Sequence, residues 1–168
     1  MNNPLKRLSL GNPWHLLATG FGSGLSPIIP GTMGTLASIP FYLVLVQLPL
    51  WLYALAVILS CVIGVKICQQ TSDDMQVHDH GSIVWDEFAG FWITMAVVPL
   101  LQIPVFDWQW ILSGFVLFRF FDMVKPWPIG WLDKRVAGGF GIMLDDIVAG
   151  VMAGVALYGL GYWAGWLG

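Results

Sequence analysis

Asp86 and Glu87 stand side by side in "HDHGSIVWDEFAGFW", where a polar loop turns into apolar chain, and Asp145 and Asp146 do the same in "GIMLDDIVAG". Both pairs follow Ile-x-x and open a hydrophobic segment. A charged residue at the centre of a spanning helix costs roughly 2.5 to 3.5 kcal/mol, and less near its ends. One acid in the first turn of each helix would merely complement the macrodipole. Two adjacent acids on each of two helices repel one another unless a positive charge intervenes. A divalent cation is the simplest such charge, and oxygen ligands with no thiolate nearby suit Mg²⁺ or another hard ion. Magnesium commonly takes one or two carboxylates together with waters and a phosphate oxygen, so the acids point to a phosphate-bearing substrate.

"FRFFDMVKPWP" supplies matching cations. Arg119, Asp122 and Lys125 fall at i, i+3 and i+6 along one helical stripe, and Pro126 ends the helix. Arg119 and Lys125 suit a phosphate clamp and Asp122 a metal ligand; the plainer alternative is a ladder of ion pairs at a membrane surface. "GFGSGLSPIIPGTMGT" presents Gly22, Ser23, Ser26 and Thr32 in a glycine-rich loop. Its backbone N–H groups suit an anion and Thr32 is placed to cap the next helix, although such a loop is equally a plain turn. It lacks the Gly-Lys-Ser/Thr of a P-loop. His78 and His80 flank Asp79 in a polar loop. Either ring suits a general acid or a metal ligand, or is simply a surface histidine. There is no cysteine phosphatase loop, aspartyl-phosphate Asp-x-Asp or nucleophile elbow, which leaves metal-assisted attack by water.

These residues need elements to carry them. The chain has 168 residues, enough for a single domain over 1–168; it is 57% hydrophobic and 10% charged, with ten Trp. Soluble domains carry about 25% charged residues, so the composition indicates an all-α, polytopic membrane protein; a very apolar soluble oligomer is the weaker alternative. The net charge of −3 gives no footprint for nucleic acid. Cys61 and Cys68 read as small core residues of one helix. Lys6 and Arg7 precede Asn-Pro-Trp-His and glycines, so no cleavable signal peptide is expected.

Four or five apolar segments are legible: 35–48, 50–68, 83–101, 110–124 and 142–163, with a further short helix around 14–19. The second, third and fifth meet the length for a crossing, about 20 residues. The first and fourth are short and predict tilt or incomplete crossing. Alternating the five from a cytoplasmic N-terminus puts every Lys and Arg on one side, the positive-inside pattern, and leaves Asp107 on the other. Trp51, Trp108, Trp110, Trp127, Trp131 and Trp163 fall near segment ends as interfacial anchors. The same alternation gathers both acid pairs, the Arg119–Lys125 stretch and both glycine loops on the cytoplasmic face.

"NPWHLLATGFGSGLSPIIPGTMGTLASIP", "VHDHGSIVWDEFAGFWIT", "FRFFDMVKPWPI" and "GGFGIMLDDIVAGV" resemble the phosphatidylglycerophosphatase A family of bacteria, over about residues 11 to 160. The resemblance implies a mainly helical, Mg²⁺-dependent phosphatase of the bacterial inner membrane. Its reaction would take the terminal phosphate from phosphatidylglycerophosphate. Asp86, Glu87, Asp122, Asp145 and Asp146 would then hold the metal and carry the chemistry, with Asp79 a sixth acid. Arg119 and Lys125 would bind the phosphate, one of His78 and His80 would serve as acid, and the 20–34 loop would shape the headgroup pocket. The expected partners are a membrane phospholipid and the bilayer, and a homo-oligomer is compatible with this. The rivals are a Mg²⁺-dependent headgroup transferase, an ion or proton transporter using the acids as a relay, and a non-catalytic scaffold.

Overall fold

Proline marks the places where helices start and stop. The computed structural model describes residues 4–104 and 107–166, which form helices joined by tight turns, with no strand among the described residues. Residues 1–3, 105–106 and 167–168 lie outside the described residues. Pro13 and Pro30 sit in the first turns of α1 (Pro13–Ala18) and α2 (Pro30–Leu45), where a missing N–H leaves nothing unpaired. Pro49 precedes α3 (Leu50–Met75). Then come α4 (Trp85–Thr94), α5 (Val97–Leu100), α6 (Trp108–Val124), α7 (Ile129–Asp133) and α8 (Gly138–Trp163). Asp107 caps α6 by accepting from the Gln109 N–H at 3.3 Å. Lys125 ends α6 in a left-handed conformation just before Pro126.

Helices α3 and α8 are long and apolar enough to cross a membrane. At the helical rise, the 26 residues of each reach about 39 Å, beyond the roughly 30 Å of a hydrocarbon core. Only 28% of the most apolar stretch of α3 is buried. Its outer face shows Trp51, Leu55, Ile58, Leu59, Val62 and Ile63. Exposed rows continue on α2 (Leu36, Phe41, Val44), α6 (Leu112, Val116, Phe120) and α8 (Val151, Val155). Contiguous apolar surface on this scale suits lipid, not water.

The segment read as a third full span, 83–101, differs from that expectation. Its helix α4 has ten residues, about 15 Å, and the chain turns at Met95 and Ala96 before α5. Pro99 gives the reason. It offers no N–H to the Met95 carbonyl and its ring crowds that oxygen, which accepts from the Val98 N–H at 3.1 Å instead. The short helix is enclosed by its neighbours and is buried continuously from Asp86 to Trp92. Hydrogen bonds to three neighbouring helices fasten it. The Trp92 indole donates to the Ser38 carbonyl of α2 at 3.1 Å, the Tyr53 hydroxyl of α3 donates to the Trp92 carbonyl at 2.5 Å, and the Thr94 hydroxyl reaches the Gly150 carbonyl of α8 at 3.2 Å.

Gly90 and Gly150 let α4 and α8 pack backbone to backbone. A Cβ on Gly150 would lie 2.5 Å from the Gly90 carbonyl oxygen, and one on Gly90 would lie 2.8 Å from the Asp146 carbonyl oxygen. Small residues allow this close approach between apolar helices. Helix α8 also begins earlier than read. Gly139 fits against the backbone of α3 at Val65 and Gln69, and its N–H donates to Gln69 Oε1 at 2.7 Å. Asp145 and Asp146 therefore lie about two turns inside α8, not in its first turn, and the macrodipole does not account for them. Cys61 and Cys68 are free thiols packed in the core on α3, as expected.

Candidate active site

A cavity of about 190 Å³ opens where the start of α2, the turns after α3, the start of α4, the end of α6 and the early part of α8 meet. Asp79, Asp86, Glu87, Asp122, Asp145 and Asp146 all line it, together with Lys125 and Gly31. Acids far apart in the chain thus reach one place, at one end of the helices. Two larger clefts, about 440 and 230 Å³, lie between α5 and the lower parts of α8 and α3; apolar side chains line both, and neither contains a carboxylate.

Two of the six acids share one arginine. Glu87 Oε2 accepts from the Thr35 hydroxyl at 2.8 Å and from Arg119 Nη1. The same guanidinium nitrogen lies 2.8 Å from Asp122 Oδ2, an i, i+3 pair along α6. Gly31 leaves room for this arrangement, because a Cβ there would collide with Glu87 Oε1 and come within 3.2 Å of Arg119. Arg119 is thereby committed to two carboxylates and does not line the cavity.

Three others each keep an oxygen without a partner. Asp86 Oδ1, Asp145 Oδ1 and Asp146 Oδ2 are buried and have no hydrogen-bond partner. Their residues are 8%, 6% and 3% exposed, so little water reaches them. Asp145 is intermediate in kind, because its Oδ2 does accept from Lys125 Nζ at 2.7 Å. Lys125 Nζ also donates to Asp133 Oδ1 at 2.7 Å. Burial works against the Lys125 charge, but the Asp133 and Asp145 carboxylates outweigh it and hold the ammonium above its ordinary range.

The remaining expected site residues lie outside the cavity lining. The Ser23 hydroxyl donates to the Gly20 carbonyl and the Ser26 hydroxyl to the Ile28 carbonyl, each at 2.8 Å, so both build turns. Gly22 is left-handed at φ 93° and opens a short 3₁₀ turn. Thr32 does not cap α2; the helix starts two residues before it and Ile29 holds the cap position. The loop and the first turns of α2 pack on the turn before α4, with Gly20 and Gly34 against Val84 and Gly24 against the Ser82 carbonyl. The His78 Nε2 accepts from the Gly138 N–H at 2.8 Å, and the His80 Nδ1 accepts from the Ser82 N–H at 3.2 Å. Only Asp79, between them, reaches the cavity.

Thr35 and Asp133 were missed as site residues, whereas Gly31 lies in the 20–34 loop expected to shape the pocket and does line the cavity. Asp133 carried a signal, since it is an acid in an otherwise basic "DKR" stretch close to Lys125 in sequence. His15, outside the site, is buried; its Nε2 lies 3.1 Å from Asp74 Oδ2 and its Nδ1 accepts from the Ser9 N–H at 3.0 Å, which ties α1 to the end of α3.

The described residues thus form an all-helical protein with two helices long and apolar enough to cross a membrane, and with six acids lining one cavity at an end of the helices. A family model for phosphatidylglycerophosphatase A matches residues 16–161. A curated relative from Escherichia coli K12 named phosphatidylglycerophosphatase A is 61% identical over 93% of this chain and 88% of its own. One from Haemophilus influenzae with the same name is 48% identical over 96% of this chain and 97% of its own. A Bacteroides thetaiotaomicron protein, named as a candidate phosphatidylinositol-3-phosphatase, is 40% identical over 81% of this chain and 86% of its own. No solved structure matches. The chain belongs to the phosphatidylglycerophosphatase A family.

Proposed function

We propose that the chain hydrolyses the terminal phosphate of phosphatidylglycerophosphate to give phosphatidylglycerol and inorganic phosphate, with Mg²⁺ as cofactor, at the polar end of a membrane-embedded bundle. The names of the E. coli and H. influenzae relatives supply the substrate. The chemistry is carried by one observation: Asp86, Asp145 and Asp146 each bring a buried, partnerless carboxylate oxygen to a single cavity. Buried bare carboxylates are costly, and a hard divalent cation offsets that cost using only oxygen donors.

No three His, Cys, Asp or Glu side chains among the described residues already converge as a closed ligand set. Magnesium requires less, because waters and a phosphate oxygen complete its octahedron around one or two carboxylates. One or two of Asp86, Asp145 and Asp146 would hold it, with Glu87 and Asp122 beside them and Asp79 also lining the cavity. Bound there, it would supply positive charge to the phosphoryl group and make a water more acidic.

The chain's own residues divide the rest. Lys125 is the cation that lines the cavity, so it takes a phosphate oxygen, and Asp133 keeps it at the rim. Arg119 orients Glu87 and Asp122 and does not grip phosphate directly. A histidine acid finds no support in the geometry, because neither ring lines the cavity. The bias of Lys and Arg toward this end supports a cytoplasmic mouth in a bacterial inner membrane, with acyl tails left among the apolar helix faces.

The Bacteroides relative favours a second lipid phosphate, a phosphatidylinositol 3-phosphate, for the same cavity. A headgroup transferase would release a nucleotide. A transporter would need acids at mid-span and at both ends, whereas Asp107, the acid read on the far side, caps α6. Purified protein in detergent should release phosphate from phosphatidylglycerophosphate faster than from phosphatidylinositol 3-phosphate or phosphatidate, and should stop in EDTA. Undiminished release in EDTA would reject the metal site, and faster release from either competitor would reject the substrate.

A further inference from the structure

The segment from Pro126 to Val136 joins the end of α6 to the start of α8 and adjoins the acid cavity through Lys125, which lines it. Asp133 on it holds Lys125 at 2.7 Å, and a Cβ on Gly130 would lie 2.8 Å from the Lys125 carbonyl oxygen. Ile129 is fully buried and roots the segment in the core. Its other large side chains face outward: Trp127 is 82% exposed and Trp131 49%, and exposed Met123 and Phe140 extend the apolar surface on either side. Lys134 and Arg135 are exposed on the same segment. Unlike Arg119 and Lys125, they form no ion pair among the described residues; Arg135 lies 5.2 Å from the centre of the Trp131 ring instead.

The far end of the molecule provides the control. Trp51, Trp108 and Trp163 are just as exposed there, but the sequence next to them carries no Lys or Arg. Exposed tryptophans alone suit any bilayer interface. Free cations beside them add attraction only where the lipid surface is negative, about fivefold per charge. Charge complementarity thus identifies what this segment rests on. We propose that residues 126–136 dock in the headgroup layer of an anionic bilayer and seat the cavity mouth at the level of the lipid phosphates. This deepens the lipid-phosphatase reading and rests on it for its use, but the docking is measurable without turnover.

Full-length protein would be placed in nanodiscs of phosphatidylcholine, alone or mixed with phosphatidylserine, with bromine on the acyl carbons nearest the headgroups. The difference in fluorescence quenching between the wild type and Trp127→Phe reports the position of Trp127, and it should be quenched. On the mixed bilayer, Lys134→Gln/Arg135→Gln should raise the surface KM for a long-chain lipid substrate about fivefold for each charge removed. The rate at saturation, and the KM on pure phosphatidylcholine, should stay at the wild-type values. Trp127 beyond reach of the bromine, or equal KM for the variant and the wild type on the anionic bilayer, overturns the proposal. Quenching as expected with no phosphate released from any lipid leaves the docking standing and rejects the lipid-phosphatase reading.

Discussion

Glu87 and Asp122 share Arg119, and Glu87 has Thr35 as well, whereas Asp86, Asp145 and Asp146 each keep a buried oxygen with no donor. Both sets line one cavity, so the difference does not come from solvent access. The protein supplies its own counter-charge to both acids of the first set; in the second only Asp145 has one, from Lys125 on its other oxygen. A buried ion pair whose partners are satisfied holds geometry. Buried carboxylates without partners raise the energy of the empty site and lower it only when a cation arrives. In the proposed reading, the first set positions and the second ligates.

The largest expected effect is on the second set. Asp86→Asn and Asp146→Asn should each lower phosphate release by about 10³-fold, the scale of losing a central electrostatic element of a site. The folded protein should be at least as stable as the wild type without metal, because a buried bare charge is gone. Wild-type stability should rise by about 2.7 kcal/mol when Mg²⁺ is roughly a hundredfold above its Kd, and this gain should vanish in the variants. Thermal melts with and without Mg²⁺ alongside a phosphate assay check both halves. Variants that lose stability but keep the Mg²⁺ gain would reverse the assignment.

Next comes the first set. Glu87→Gln leaves Arg119 with Asp122 as its one remaining carboxylate and should destabilise by about 3 kcal/mol, seen in denaturant or thermal unfolding. Adding Arg119→Met should recover most of that stability without restoring full activity. No loss in Glu87→Gln would show that this pair is not a structural brace. The smallest effect is expected at Thr35→Val, which removes one buried hydrogen bond to Glu87 and should cost about 1 kcal/mol, with Mg²⁺ stabilisation unchanged.

The meeting of distant acids was legible in the sequence because charge is rare in this chain and alternating helices put each acidic stretch at the same end. The Arg119–Asp122 pair was legible too, because i, i+3 contacts are local. Partners separated by long stretches of chain were not. Nothing in the sequence tells Thr35, and not Thr32, to face Glu87; that depends on where α2 begins, and Pro30 starts it before the hydrophobic pattern does. Hydropathy likewise made 83–101 a span, since it registers apolar content and not the proline that interrupts the hydrogen bonding. The start of α8 at Gly138 was hidden for the opposite reason: glycines read as loop until a neighbouring backbone is close enough to need them.

The crossing of Gly90 with Gly150 lies one helical turn beyond each acid pair. It works as a ruler with no markings: the gap between Asp86 and Asp146 is calibrated by two hydrogen atoms standing where methyl groups would be. A drifting lineage could therefore detune this enzyme while every ionisable side chain remained in place, simply by thickening one of two featureless positions.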